Sequence, residues 1–448
     1  MKALSENEII SLTKSKTLLP WSAQENANPI IVDKAKGVYF WDVKGQKFMD
    51  FNSQAMCVNI GHGDERITTA ILKQLEKCAF VWGKEFTTEA RAQLGKLLLN
   101  ILPENLAKVF LVNSGTEANE HAIRIARNYS NKHKIIARYK SYHGATYGSI
   151  SLTGDPRRWS AEPTMPGVIH VMDPYKYRCR WCRQESKCTL DCLNHIEDVI
   201  KYEGAHTIAA IIIEPVTGMN GIIIPPDGYL KGLRLLCDKY NILMIVDEVM
   251  TGFGRTGKWF AVDHWNVLPD IITMAKGLTS GYFPLSAVAV SSKIADYYNH
   301  NTLNSGNTYN AHPIGCAVAV ACINIYESDN LINNAAELGI ILSRELNKIK
   351  SKHISVGDVR SIGLFGAIEF VKDKDKNEML VPLNANIEEL KPMLALKNHL
   401  LEKGLFVNTN WNILLIIPPL CISQSQLLSG LKLIDEAIKI IDEYITQQ

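Results

Sequence analysis

Lys276 ends the run Ile271-Ile272-Thr273-Met274-Ala275, whose apolar and β-branched residues read as a buried strand, and Gly277 follows at once. An amine there is either solvated at a strand end or desolvated for covalent chemistry. A second such run, Ile242 to Val246, closes in Asp247-Glu248, and a third, Val109 to Val112, closes in Asn113-Ser114-Gly115-Thr116. Ligands of open α/β sheets collect at the carboxyl ends of strands. An amine, a carboxylate and a turn of small residues therefore converge on one crevice.

Those three groups are what pyridoxal 5'-phosphate needs: a covalent amine partner, a charge partner for its ring nitrogen and an anion site. The small polar residues Ser114, Gly115 and Thr116 open a helix whose first N–H groups are free to meet an anion. The same residues also suit a plain cap, with Ser114 or Thr116 as the capping side chain. Tyr142, in Tyr142-His143-Gly144, offers a face for a planar ring or a piece of core. Asp247 ends so apolar a strand that its charge must be paired, either by a protonated pyridine nitrogen or by a structural cation such as Arg255. Glu214, at the end of Ile211-Ile212-Ile213, is a weaker candidate of the same kind.

Gly252-Phe253-Gly254-Arg255-Thr256-Gly257 matches G-x-G-x-x-G and raises a rival, a nicotinamide-dependent oxidoreductase. That fingerprint needs its first glycine directly after a strand and a helix directly following. Here Asp247 to Thr251 intervene and Lys258-Trp259-Phe260 follows, so the match is set aside.

The elements that must position these groups alternate strand and helix. Seven apolar strands begin near Val109, Ile135, Ile169, Ile208, Ile242, Ile271 and Ala287, too hydrophobic on both faces for anything but a covered, largely parallel sheet. Residues 30–51 read instead as a small antiparallel meander, and Asp64 opens a helix to Cys78. Beyond a long helix at Cys316 to Tyr326 and another over Leu331 to Lys350, the tail mixes one strand over Val359 to Phe370, a helix around Met393 to Lys403, short strands and a final amphipathic helix. The expected division is an N-terminal segment (1–60) and a C-terminal part (326–448) sharing a smaller α+β domain, around a large cofactor-binding domain (61–325).

At 448 residues the chain can bury a sizeable core. With 46% hydrophobic and 21% charged residues and a formal net charge of +2, nothing points to nucleic acid or an anionic membrane. The first residues lack the continuous apolar core of a secretory signal, and no run approaches the roughly 18 apolar residues of a membrane span. The expected location is cytoplasmic. Ten cysteines suit that setting as reduced thiols, several of them (Cys57, Cys237, Cys316, Cys322) inside apolar stretches.

Asn113 to Asn119, Tyr142-His143-Gly144, Asp247-Glu248-Val249 with Gly252 to Gly257, Ala275-Lys276-Gly277 and Thr308-Tyr309 stand in an order and spacing that resembles the class III aminotransferases, the ω-amino acid transaminases of pyridoxal-phosphate fold type I. The resemblance runs from about Pro29 to the end of the chain. It implies that Lys276 bonds the cofactor aldehyde and then shuttles protons, that Asp247 pairs with the ring nitrogen, that Gly115 and Thr116 hold the phosphate and that Tyr142 stacks on the ring. Thr308 would reach the phosphate of a neighbouring subunit, which implies a homodimer. Trp21, by itself a packing anchor or a ligand contact, becomes a candidate at the substrate.

Many relatives carry an arginine shortly before a final Pro-Pro-Leu to hold a substrate carboxylate; here Leu415 stands in that place, before Pro418-Pro419-Leu420. Arg157 and Arg158, in Gly154-Asp155-Pro156-Arg157-Arg158-Trp159, are the alternative cations, Arg157 being favoured, unless that stretch is a plain surface loop. A guanidinium forks onto a carboxylate or a sulfonate alike. This segment and the insert Cys179-x2-Cys182-x5-Cys188-x3-Cys192 resemble the members that move the amino group of taurine to 2-oxoglutarate. Alternatives are β-alanine, 4-aminobutyrate or diamine transaminases using pyruvate or 2-oxoglutarate, an aminomutase, or a non-enzymatic regulator, which usually has an appended DNA-binding module or lacks the lysine. The first cysteine spacing suits zinc and the second does not, so the four are expected as reduced structural thiols, with no metal assigned.

Overall fold

The computed structural model describes residues 4–182 and 188–447. Its centre is a seven-stranded sheet in the order Leu106–Val112, Ser286–Ser291, Ile271–Met274, Leu243–Asp247, Ile208–Ile213, Lys134–Arg138, Val168–Val171. These are the seven strands expected from sequence. Six run parallel; Ser286–Ser291 runs antiparallel to both its neighbours.

Residues two apart on a strand share a face, and both faces here are covered. Ile211, Ile213, Met244, Val246, Ile272 and Met274 join one apolar cluster, while Ala210, Ile212, Ile245 and Ile271 join another. The helix Gly115–Ser130 packs across one face; Asp191–Glu203 and Tyr229–Lys239 contribute to the cluster on the other. Burying an isoleucine in such a layer is worth about 1.5–3 kcal/mol, enough to hold strand ends in fixed register. That register pairs Asp247 with Thr273, three residues before Lys276.

Near the N-terminus, Val32–Lys36, Tyr39–Asp42 and Lys47–Asp50 form the expected meander. Leu405–Phe406 then adds to it in parallel, so the two ends of the chain share a sheet. Asp64 caps the helix Glu65–Lys77 by accepting from the Arg66 N–H. The single strand expected over 359–370 is two, Val356–Ile362 and Phe365–Asp373, an antiparallel hairpin. Gly363, at φ +56°, supplies the reversal; with apolar residues on both sides, the run reads as continuous in sequence. The amphipathic tail likewise divides into Gln424–Ala437 and Lys439–Thr446.

The glycine-rich stretch 252–257 forms turns with no helix directly behind it. A side chain on Gly257 would lie 2.9 Å from Ala336 Cα and one on Gly363 2.3 Å from the Thr256 carbonyl carbon. These glycines allow close backbone packing between the turn, the helix Leu331–Lys352 and the hairpin. No helix among the described residues is long and apolar enough to cross a membrane.

Candidate active site

An open cleft of about 980 Å³ lies where the parallel strands end. Its walls include Ser114, Gly115, Thr116, Tyr142, Glu214, Asp247 and Lys276, with Trp21 and Arg157 at another part of the wall. Of the expected site residues only Thr308 lies elsewhere: it is exposed and outside the cleft of a single chain.

Lys276 follows the Ile271–Met274 strand in a backbone conformation with φ of 34°, a left-handed value that costs a non-glycine residue energy. Burial lowers the pKa of its amine, a trend opposed by the nearby Cys57, Asp247 and Glu214. Gly277 must be small, because a Cβ there would sit 2.6 Å from Asn59 Nδ2 and 2.8 Å from Phe253 Cβ.

Asp247 is buried and held from three sides. Its Oδ2 accepts from Asn119 Nδ2 at 2.7 Å and lies 2.8 Å from His143 Nδ1, and its Oδ1 accepts from the Val249 N–H at 3.0 Å. Asn119 is itself fixed: Nδ2 also donates to the His143 carbonyl at 2.7 Å, and Oδ1 accepts from Thr273 Oγ1 at 2.7 Å. Arg255 takes no part in this. It is fully buried and donates to the carbonyls of Leu364 and Pro418, to Ser53 Oγ and to Asn59 Oδ1, while burial pushes its pKa down to about 10. Arg255 is thereby excluded as the structural partner of Asp247, whose imidazole neighbour is His143.

Ser114 caps the helix Gly115–Ser130 by accepting from the Glu117 N–H at 3.2 Å. The backbone N–H groups of Gly115 and Thr116 have no acceptor among the described residues and open on the cleft beside the positive end of the helix dipole. Gly115 must lack a side chain, since a Cβ would lie 2.7 Å from Val249 Cγ1. Glu214 Oε1 accepts from the Tyr142 N–H at 3.1 Å and Oε2 from the Gly218 N–H at 2.8 Å, and burial raises its pKa. Both its oxygens thus brace backbone, whereas Asp247 divides its own between the Val249 N–H and the side chains of Asn119 and His143.

Away from Lys276, the guanidinium carbon of Arg157 lies 3.9 Å from the Tyr142 ring centre and 5.6 Å from that of Trp21. Trp21 meets Tyr142 edge-on, with centroids 6.4 Å apart, and is 67% exposed. Arg157 Nε donates to both oxygens of Asp155, at 3.0 and 3.1 Å, and Nη2 donates to Oδ2. Arg158 turns elsewhere, to Glu162 at 3.5 Å. Leu415 is fully buried in a cluster with Val216, Met250 and Phe365. Among the described residues of the cleft wall, Lys276 and Arg157 are the only lysine and arginine side chains.

Part of the cysteine insert, between Cys182 and Cys188, lies outside the described residues. Cys179, Cys182 and Cys192 are buried, with Cys182 Sγ 3.4 Å from Cys188 Sγ, and burial pushes Cys192 up to about 12. Among the described residues no group of three or more histidine, cysteine or acidic side chains could hold a metal.

Sequence reasoning missed Asn119, His143 and Asp155. The first two follow from asking what satisfies the second oxygen of a buried Asp247. Asp155 lies two residues from the arginine it grips, but nothing in its spacing separates that grip from an ordinary turn.

A covered, mostly parallel sheet with an amine, a braced carboxylate and open helix amides at its strand ends is the site of a fold type I pyridoxal-phosphate enzyme. The chain belongs to the class-III aminotransferase family, whose cofactor is pyridoxal 5'-phosphate; the family match spans residues 21–438. It is similar to the taurine:2-oxoglutarate aminotransferase of Bifidobacterium kashiwanohense, whose structure was solved with pyridoxal phosphate and glutamate: TM-score 0.94 and 36% identity, covering 99% of this chain and 100% of that one. It is 34% identical to the leucine/methionine racemase of Thermococcus litoralis (98% of this chain, 97% of that one). It is likewise 34% identical to the taurine–pyruvate aminotransferase of Bilophila wadsworthia (85% and 86%).

Proposed function

We propose that this chain transfers the terminal amino group of an ω-amino acid or sulfonate to a 2-oxo acid, the best-fitting pair being taurine and 2-oxoglutarate, which yield sulfoacetaldehyde and glutamate. The observation that carries this reading is the guanidinium of Arg157, the one arginine among the described residues of the wall, in a cleft that also holds a desolvated lysine amine. A sulfonate or carboxylate needs a forked donor, and Arg157 is the side chain able to supply one.

When bound, pyridoxal 5'-phosphate supplies an aldehyde that takes up an amine and a ring that accepts the electrons released when a neighbouring C–H is ionised. The residues supply the rest. The amides of Gly115 and Thr116, at a helix N-terminus, hold the phosphate, joined by the partner subunit's Thr308 in a homodimer. Asp247, fixed by Asn119 and His143, keeps a proton on the ring nitrogen. Tyr142 walls one side of the ring. Lys276 Nζ, kept toward its neutral form by burial, removes a proton at the amine-bearing carbon and returns one. Arg157, beside Trp21, anchors the acid group so that the amino end of the donor points to the lysine. Leucine at 415 leaves that task to Arg157.

The purified holoenzyme given taurine and 2-oxoglutarate should form glutamate and sulfoacetaldehyde in equal amounts. Its kcat/KM for taurine should exceed those for β-alanine, 4-aminobutyrate and putrescine. Absence of glutamate with every ω-amino donor would overturn the reading. The Thermococcus litoralis relative motivates a second one, racemisation, in which an α-amino acid inverts without any oxo acid.

A further inference from the structure

Arg157 has a nearly buried counter-charge supplied by its own segment. Asp155 is 3% exposed, and its carboxylate meets the Nε and Nη2 edge of the guanidinium. It also accepts from Asn220 Nδ2 at 3.1 Å, and Asn220 is 1% exposed. Asn220 Oδ1 in turn lies 3.4 Å from Asn410 Nδ2, which donates to the Met219 carbonyl at 2.9 Å. Asn410 belongs to the strand Asn408–Asn410, in the sheet formed by the C-terminal part of the chain.

The consequence for the guanidinium is geometric. One edge is occupied, one face lies over Tyr142, and Nη1 has no hydrogen-bond acceptor among the described residues. A free arginine loses about 2 kcal/mol of rotamer entropy when a ligand immobilises it; one already clamped loses less. A clamp also limits the directions from which an acid group can be met.

We propose that Asp155, fixed by Asn220, is a positioning residue that sets the cleft's preference for acid-bearing substrates by holding Arg157 with Nη1 toward the ligand. This rests on the reading of Arg157 as the acid-group anchor. Asp155 has a second role, since it caps the segment Pro156–Ala161 by accepting from the Arg157 N–H at 3.0 Å. Asparagine keeps an acceptor for that cap but loses the charge and half of the grip, so Asp155→Asn separates the two roles.

The test uses the holoenzyme and the amine donor that the wild type turns over fastest, with ethanesulfonate as a competing acid that carries no amine. For Asp155→Asn, KM for an acidic donor and Ki for ethanesulfonate should rise together, about tenfold, with a much smaller fall in kcat. A fall in kcat with both constants unmoved would reduce Asp155 to a turn cap and overturn the proposal. Arg157→Met tells the two layers apart: it should raise Ki at least as far. If Arg157→Met leaves Ki unchanged, the acid-anchor reading itself fails; if it raises Ki and Asp155→Asn does not, only the positioning role fails. Should Asp155→Asn not fold, Asn220→Ala should shift both constants the same way by about threefold, and no shift would count against the proposal.

Discussion

The two parts of the cleft are held in different ways. Around Lys276 and Asp247, the residues stand at the ends of central strands or on the helix behind them, and buried side chains hold one another: Thr273 to Asn119, Asn119 and His143 to Asp247. Around Arg157 stand a six-residue 3-10 segment and an exposed tryptophan, with the buried pair Asp155 and Asn220 behind the guanidinium. Groups that move protons must be aligned within fractions of an ångström. An acid group needs a forked donor held at a suitable angle, and a clamped arginine on an irregular segment can give that without a place in the central sheet. Relatives with different named substrates, taurine in one and leucine or methionine in another, match this chain at equal identity.

Substitutions can break this contrast. Lys276→Ala should abolish transfer, with a loss of at least about 10⁴-fold in kcat, while the protein still folds, because only the side chain's amine is unique to the chemistry. Borohydride reduction followed by peptide mapping should label Lys276 in the wild type. Asp247→Asn should lower kcat by about 10²–10³-fold, with smaller changes in KM, because it removes the buried charge proposed to face the ring nitrogen. A loss confined to KM would move Asp247 to the recognition side of the comparison.

A smaller effect concerns stability alone. Glu248 is fully buried, accepts from Thr251 Oγ1 and the Val262 N–H, and burial pushes its pKa up to about 7. Because this folded value lies above the ordinary 4.5, the folded state holds the proton more tightly. The resulting stabilisation is full below pH 4.5 and is lost as pH rises through 7. Glu248→Gln should therefore flatten the fall in Tm between pH 5 and 8, removing on the order of 3 kcal/mol of pH-dependent stability. An unchanged slope would mean that Glu248 titrates normally.

The same contrast governs what could be read from the chain alone. Strand ends were legible because the apolar runs are long and Asp247, Lys276 and the 113–116 turn sit at their boundaries. The grip on Asp247 was not, because Asn119 lies 128 residues away and only tertiary packing joins the two. Arg157 was found by elimination once Leu415 replaced the usual cation, but the orientation of its guanidinium depends on Asp155 and Asn220, 65 residues apart. The hairpin at Gly363 was missed because one glycine between apolar residues looks the same within a strand as at its reversal.

The reversed strand has a consequence for how the protein is made. Leu106–Val112, which leads into the 113–116 turn, lies at the edge of the sheet, and its single neighbour there is Ser286–Ser291. Ser286 Oγ also donates to the Ser114 carbonyl at 2.7 Å. In a growing chain, that strand's native sheet neighbour is therefore absent until residues 286–291 have been added. A nascent fragment ending before residue 286 thus has no docked strand on which to build the 113–116 turn.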